Sequence, residues 1–393
     1  MPVDKVQGIH TDVEPTARAG VLAYLYERLP VSIQRKAGGI AWNSAGSFGY
    51  LFLHALSIVL VARTAGAEAV GVYLLAQALG IPVSMLCGLR YHDINATEPE
   101  ITRISGHFRN IAMVAIPATA AALVLWSLFT EGDTRIIGIN IILANVLQGF
   151  AQAPQGRMIR LRQFQSAAVF EMLRGVVSLL SFSIGLLLLD SFYQATVLLL
   201  FGWVMLLAME YRVASRLSRQ FTQQDAGTSG VIDQMRYAIG DSLGLFQTSS
   251  VRLVVGVIMT EAAVGILGAT ALLIKFIHPL SIAIAKTALP EVVDDLARKD
   301  YRRINLRLRI INIATISCVA VFASLGYWAT PPLIEWLLGA ELRPPPMVAA
   351  ILMVGAAPLV GSRFLTHLLI ALRQRQAVER SAWLGLSCSV VFA

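Results

Sequence analysis

Apolar stretches of about 20 residues follow one another along almost the whole chain, and they constrain the fold more than any other feature. Runs of this length predict membrane-spanning helices. Lipid offers the backbone no hydrogen-bonding partner, so only helices or closed barrels can cross it, and these runs lack the alternating polarity of barrel strands. Only 14% of the residues are charged. The sequence therefore predicts an all-α polytopic membrane protein.

The apolar runs predict ten complete spans and the beginning of an eleventh. The eleventh begins near residue 381 and ends at Ala393. A segment of about 13 residues cannot cross a bilayer at the rise of an α-helix. We therefore expect the second half of the chain to be truncated within a helix. The predicted limits of the complete spans are 38–62, 69–89, 108–129, 136–154, 167–188, 193–211, 237–259, 263–285, 308–328 and 347–371.

Lysine and arginine fall almost entirely on one side of the predicted membrane. With the N-terminus placed inside, the inner segments hold 25 of the 32, and the outer loops hold only Arg63, Arg135 and Arg343. Because positive residues are retained in the cytoplasm, this bias predicts an inner-membrane protein with a cytoplasmic N-terminus. The basic loops are read as anchors and not as nucleic-acid surfaces. Arg63 is expected to anchor the first span at the interface, with a phosphate contact as the alternative.

An internal repeat links the two halves of the chain. Residues 45–75 resemble residues 240–270, and the triplet Ala-Val-Gly at 69–71 recurs at 263–265, an offset of 194. The repeat pairs the first span with the seventh, so both copies have the same orientation. Such repeats form parallel lobes around an axis normal to the membrane, with the substrate between them.

The repeat and the charge pattern together predict four regions. A cytoplasmic tail, residues 1–37, contains a candidate interfacial helix and precedes a first lobe of six helices at 38–212. A cytoplasmic loop at 213–236 leads to the second lobe, residues 237–393, with four complete helices and part of a fifth.

Four cations lie inside predicted spans, and they are the candidate substrate-binding residues: Lys275, Arg252, Arg363 and Arg174. A charge within the bilayer is costly and usually faces a cavity or a partner. Lys275 lies near the middle of the eighth span, too deep for its stem to reach either interface. Arg252, in the seventh span, could bind an anionic group because its planar fork binds oxygen atoms in pairs.

Each of these cations also has a structural explanation. Lys275 could pair with an internal acid, and Arg252 could extend outward to the lipid headgroups. Arg174 follows Glu171 by three residues, and an ion pair between the two is the favoured interpretation of Arg174. Arg363 lies near the inner end of the tenth span and could reach the cytoplasmic headgroups.

Motifs for catalysis are absent from the sequence. There is no HExxH, Walker loop or GxSxG, and the cysteines Cys87, Cys318 and Cys388 have no metal-ligand spacing. We therefore expect no enzyme activity, no catalytic residue, no metal and no cofactor. Energy for any transport must come from an ion gradient or the substrate gradient.

Two segments resemble a known family. VARTAGAEAVGVYLLAQALGIPV at 61–83 and TPPLIEWLLGAEL at 330–342 are similar to segments of bacterial polysaccharide flippases, members of the multidrug/oligosaccharidyl-lipid/polysaccharide exporter superfamily. The resemblance implies two six-helix lobes in a V shape around a cavity lined by the first, second, seventh and eighth helices. It implies that an oligosaccharide linked to undecaprenyl diphosphate is flipped to the outer leaflet for surface polysaccharide synthesis. A glycan polymerase and a chain-length protein are expected as partners, besides membrane lipids.

Two rival functions remain open. A cation-coupled multidrug exporter of the same fold would need buried carboxylates for organic cations, whereas this chain has more buried cations than buried acids. A membrane glycan polymerase or ligase would need a large outer loop, and the outer loops here are short. The first comparison favours an anionic cargo, and the second argues against a polymerase or ligase.

Overall fold

The computed structural model describes most of the first half of the chain and separate parts of the second. Within these parts, five helices are long and apolar enough to cross a membrane. This confirms the prediction of an all-α polytopic membrane protein. The described ranges are 31–92, 95, 101–102, 104–219, 223–224, 231–271 and 301–355.

The first two predicted spans form one helical hairpin. A helix runs from Val31 to Gly88 and breaks only at Gly66, whose φ of 82° is in the left-handed region that favours glycine. Its two arms, residues 31–65 and 67–88, are called α1 and α2. They fold back on each other, because Nε2 of His54 on α1 lies 3.4 Å from Nε2 of Gln77 on α2. The predicted outer loop is thus reduced to a glycine hinge.

Five further helices complete the region predicted as the first lobe, and α1 and α2 pack against several of them. The helix α6 continues as a π-helix, Ile184–Leu188. The predicted spans 108–129, 136–154, 167–188 and 193–211 all fall within these elements. The helices are α3 (Ile104–Phe129), α4 (Gly132–Phe150), α5 (Gln152–Arg160), α6 (Phe164–Ser183) and α7 (Phe192–Ser218).

Two short strands connect loops of this region. The strand β1 (Ile101–Thr102) precedes α3, and β2 (Gln223–Gln224) follows α7. They pair in parallel, with Ile101 opposite Gln223. The two loops are predicted to lie on the cytoplasmic side, so the pairing ties the start of the third span to the segment that leaves the sixth.

The second half begins with α8 (Val231–Ile258) and the described part of α9 (Glu261–Ala271). The helix α10 (Tyr301–Ser324) continues as a π-helix, Leu325–Ala329. Its apolar side chains are exposed at positions 310, 313 and 316, as expected for a lipid-facing surface. The predicted tenth span is described only as α12, Pro346–Gly355, and the predicted eleventh lies outside the described residues.

The predicted outer loop 329–346 contains a helix. This helix, α11 (Thr330–Leu338), has prolines in its first turn and ends at Gly339, where φ is 110°. Its side chains Ile334 and Leu338, with Leu342 just beyond, are buried in the same apolar cluster as Val70 on α2. Burial of this apolar face explains why the segment folds as a helix.

The recurrent Ala-Val-Gly triplets meet each other where α2 and α9 begin. A Cβ on Gly71 would overlap the carbonyl oxygen of Glu261, and a Cβ on Gly265 would lie 2.8 Å from the carbonyl oxygen of Ala67. Adding 194 converts Gly71 into Gly265 and Ala67 into Glu261, so the two contacts are reciprocal. Reciprocal contacts are what a two-fold relation between two copies requires. The limits of the four predicted regions remain predictions.

Candidate functional site

Among the side chains that the structure describes, few charged ones are buried. They are three arginines and one glutamate, namely Arg157, Arg174, Arg252 and Glu210. Buried charges are costly unless they are paired, so their partners separate structural groups from candidate binding groups.

Arg174 on α6 forms a two-pronged ion pair with Glu210 on α7. Its Nη2 donates to both carboxylate oxygens, at 2.7 and 2.9 Å, and both side chains are almost fully buried. The guanidinium also lies 5.9 Å from the ring centre of Trp203. Its charge is thus compensated within the first lobe. The assignment of Arg174 to substrate binding remains a prediction, and this arrangement gives it a structural role.

The predicted pairing of Arg174 with Glu171 is wrong. Glu171 instead accepts a hydrogen bond, 2.9 Å long, from Oγ of Ser47 on α1. Helical spacing reveals neighbours three or four positions apart but not acids on other helices. The acid that pairs with Arg174 comes from α7, which packs against α6. The sequence analysis did not consider Glu210 as a partner of Arg174, because Glu210 lies at the inner end of the sixth predicted span.

A small polar cavity of about 20 Å³ lies inside the first lobe beside this ion pair. It has room for about one or two water molecules. Among its lining side chains, His54 stacks on Tyr50 with ring centres 5.6 Å apart. The cavity is too small for an oligosaccharide or a drug. Its other polar or aromatic lining residues are Tyr73, Gln77, Asn145, Gln148, Ser178 and Trp203.

Arg157 was assigned to an inner loop, but the structure buries it on α5. The neighbouring buried groups are polar: the rings of Tyr91 and His107 are 4.2 Å apart, and Asn110 donates a hydrogen bond of 3.1 Å to the Tyr91 hydroxyl. The sequence of α5 is polar and contains arginines, as is typical of loops, and for this reason Arg157 was assigned to a loop. This cluster packs the predicted inner ends of α2, α3 and α5 together.

Arg252 on α8 differs from Arg174. Only 8% of Arg252 is exposed. Among the side chains that the structure describes, none forms an ion pair or a hydrogen bond with its guanidinium. Arg252 precedes Ile258, the end of α8, by six residues or about 9 Å along the helix. Its side chain is thus packed mainly against the protein, and the assignment of Arg252 to substrate binding stays a prediction.

Arg252 flanks the line along which α8 contacts α2. At one end of this line, Oγ of Ser242 donates a hydrogen bond of 2.8 Å to the carbonyl of Pro82. At the other, a Cβ on Gly256 would lie 2.7 Å from Leu75. At 3.6 residues per turn, Arg252 is offset by about 40° from Gly256 and about 80° from Ser242. It therefore stands at the edge of the contact between the two halves.

The structure gives Arg63 partners that the sequence did not predict, and its role as an interfacial anchor stays a prediction. It is exposed, and its Nη2 and Nε donate to the carbonyl oxygens of Trp336 and Leu337, the latter at 3.1 Å. These carbonyls belong to the last turn of α11, where they lack partners within the helix. A cation there also interacts favourably with the helix dipole. Arg63 thus connects α1 to α11 across 273 sequence positions.

The other two candidate substrate-binding residues, Lys275 and Arg363, lie outside the described residues. Their assignment stays a prediction. Within the described ranges, no group of three or more histidine, cysteine or carboxylate side chains is arranged to hold a metal ion.

Solved structures show what kind of fold this is. The MATE multidrug transporter DinF-BH is similar over 79% of this chain and 75% of its own, with 14% sequence identity and a TM-score of 0.56. The chain therefore has the fold of this class of membrane transporters.

Other solved structures align over more of the chain at lower scores. A MOP superfamily transporter from Pyrococcus furiosus has 15% identity, coverage of 89% and 92%, and a TM-score of 0.46. The Vibrio cholerae MATE transporter VcmN in its bent form has 13% identity, coverage of 90% and 98%, and a TM-score of 0.45. The chain matches no protein-family profile and no curated protein. None of these similarities separates a polysaccharide flippase from a multidrug exporter.

Proposed function

We propose that this protein flips an anionic lipid-linked oligosaccharide, of the undecaprenyl-diphosphate class, across the bacterial inner membrane by alternating access. The fold supports a transporter, and the resemblance of residues 61–83 and 330–342 to polysaccharide flippases supports the cargo. The observation that carries the proposal is Arg252, a buried cation at the contact between the halves with no anionic partner among the described side chains.

The physical task explains why such a cation is needed. Flipping breaks no bond, and its barrier is the cost of moving a diphosphate and a sugar through hydrocarbon. A fixed guanidinium in the path replaces part of the hydration that the diphosphate loses, and it binds phosphate oxygens in pairs. Arg174 cannot do this without releasing Glu210, so the proposal assigns the cargo contact to Arg252.

The balance of buried charge favours an anionic cargo over an organic cation. Among the carboxylates whose side chains the structure describes, only Glu210 is buried, and it is already paired with Arg174. A multidrug exporter that carries cations would need an acid free to bind them. Multidrug export by the same fold is therefore the second candidate. A glycan polymerase or ligase is the third, and glycosyl transfer by the purified protein would establish it.

Reconstitution tests the proposal directly. The purified protein is placed in vesicles with a fluorescent undecaprenyl-diphosphate oligosaccharide, and flipping is measured by the access of a membrane-impermeant quencher. Arg252→Gln should reduce flipping by at least about tenfold, since it removes a charge-assisted hydrogen-bond donor to the diphosphate. Arg252→Lys keeps the positive charge but not the planar guanidinium, so its flipping rate should lie between those of the wild type and Arg252→Gln.

The matched control is Arg216→Gln, the same chemical change on the exposed surface of α7. It should flip like the wild type. Drug export by the wild type with no flipping of the lipid-linked oligosaccharide would reverse the order of the first two candidates. Unchanged flipping by Arg252→Gln would remove Arg252 from the cargo path.

A further inference from the structure

The first turns of α2 and α9 are in close contact with each other. Gly71 and Gly265 bring the two backbones together so closely that a side chain on either would collide with the other helix. Deeper in the same contact, a Cβ on Gly268 would collide with Leu74, whose own side chain is almost fully buried. On the predicted topology, this is the outer end of the molecule. The two repeats therefore seal against each other there.

A second contact joins the two halves of the chain at the same predicted outer end. The helix α11 belongs to the second half of the chain, yet Arg63 of α1 donates to the carbonyls of Trp336 and Leu337 in its last turn. Just beyond α11, Leu342 is fully buried and would lie 3.1 Å from a Cβ on Gly265. The arginine therefore holds a segment that covers the glycine contact.

We infer that the reciprocal contact of Gly71 and Gly265 is the outer gate of the transport cycle, and that Arg63 on the C-terminus of α11 is its latch. This inference rests on the proposed function only in assuming alternating access, and it requires no particular cargo. Rocking of the halves to open the outer side must separate the glycine contact and break both bonds from Arg63. Both features then stabilise the state in which the outer side is shut.

The glycines provide a sharp test with a matched control. Gly71→Ala forces α2 and α9 apart because its methyl group would occupy the position of the Glu261 carbonyl oxygen. Gly244→Ala makes the same change on α8, where nothing lies within 4 Å of the new Cβ. The latch has a control of the same kind. Arg63→Ala breaks the connection between the halves, whereas Arg135→Ala removes an arginine whose Nε donates to the carbonyl of Thr130 within the first lobe.

The readout is a cysteine at position 74, in a protein whose native cysteines are replaced. Leu74→Cys lies behind the gate and is labelled by a membrane-impermeant maleimide, added from the outer side, only when the gate opens. We expect the labelling rate to rise about tenfold with Gly71→Ala, because overpacking separates the helices. We expect a rise of about threefold with Arg63→Ala, whose bonds are exposed to water and therefore weaker.

Two results would overturn the inference. One is an unchanged labelling rate in both Gly71→Ala and Arg63→Ala. The other is an equal rise in Gly244→Ala and Arg135→Ala. If Gly71→Ala does not reach the membrane, Arg63→Ala decides alone, because Arg63 is exposed and its loss leaves the packing intact. The labelling uses no cargo, so it stands or falls independently of the flipping assay.

Discussion

Breaking the ion pair between Arg174 and Glu210 should destabilise the protein strongly, whereas removing both charges should not. Glu210→Leu leaves the guanidinium of Arg174 buried without its carboxylate. It removes two charge-assisted hydrogen bonds of 2.7 and 2.9 Å. Loss of one partner of a buried pair costs about 3–5 kcal/mol.

The structure also ranks the two single variants. In Glu210→Leu the guanidinium keeps its position 5.9 Å from the ring centre of Trp203. That contact is present in the wild type as well, so it does not reduce the loss, and a guanidinium cannot lose its charge, so Glu210→Leu should cost about 5 kcal/mol. Arg174→Met leaves a carboxyl group of 0% exposure that can take up a proton and become neutral, so it should cost less, about 3 kcal/mol. The double variant replaces the pair with apolar side chains and should be more stable than either single variant.

Thermal unfolding in detergent measures this ranking, with Arg216→Met as a control for loss of an arginine on the exposed surface of α7. The reasoning fails if Glu210→Leu unfolds at the wild-type temperature, or if the double variant is less stable than both single variants. The double variant also tests the role of Arg174. We expect it to retain transport, as a structural pair would allow. A stable double variant without transport would place Arg174 on the cargo path.

Three further substitutions test separate features, each by the same unfolding measurement. Gly66→Ala should cost about 1–3 kcal/mol, because a φ of 82° with a ψ of −177° is a conformation essentially limited to glycine, although nothing crowds a Cβ there. Thr196→Val should cost about 1–2 kcal/mol, because it leaves buried Asn140 without the acceptor that its Nδ2 now contacts at 3.2 Å. Arg343→Ala should cost less than about 0.5 kcal/mol, because its ion pair with Glu335 is largely exposed. If Arg343→Ala destabilised the protein more than Thr196→Val does, the burial of a side chain would not determine the cost of losing its partner.

Helices were the part of the fold that could be predicted. A span needs enough consecutive apolar residues to cross the bilayer, so each span can be recognised from its own segment of the sequence. The six spans of the first lobe accordingly coincide with described helices. The segment that became α11 escaped this reasoning. It is too short to span, and prolines and a glycine at its ends are also typical of loops. Its helical structure depends on burial of Ile334 and Leu338 against distant residues.

Partners between helices could not be predicted. Sequence spacing predicted an ion pair between Arg174 and Glu171, but the carboxylate that pairs with Arg174 is Glu210, 36 residues away on another helix. The same limit applies to Arg63, whose partners lie on α11. The repeat was the exception. Its offset of 194 relates segments that meet in space, as the reciprocal contacts of Gly71 with Glu261 and of Gly265 with Ala67 show.

Equilibrium binding of the lipid diphosphate tests the central claim most directly. The wild-type protein in detergent should bind undecaprenyl diphosphate about tenfold or more tightly than uncharged undecaprenol, and Arg252→Gln should lose most of that difference. Arg216→Gln should keep it. Equal affinity of the wild type for the two lipids, or an undiminished preference in Arg252→Gln, would contradict the account.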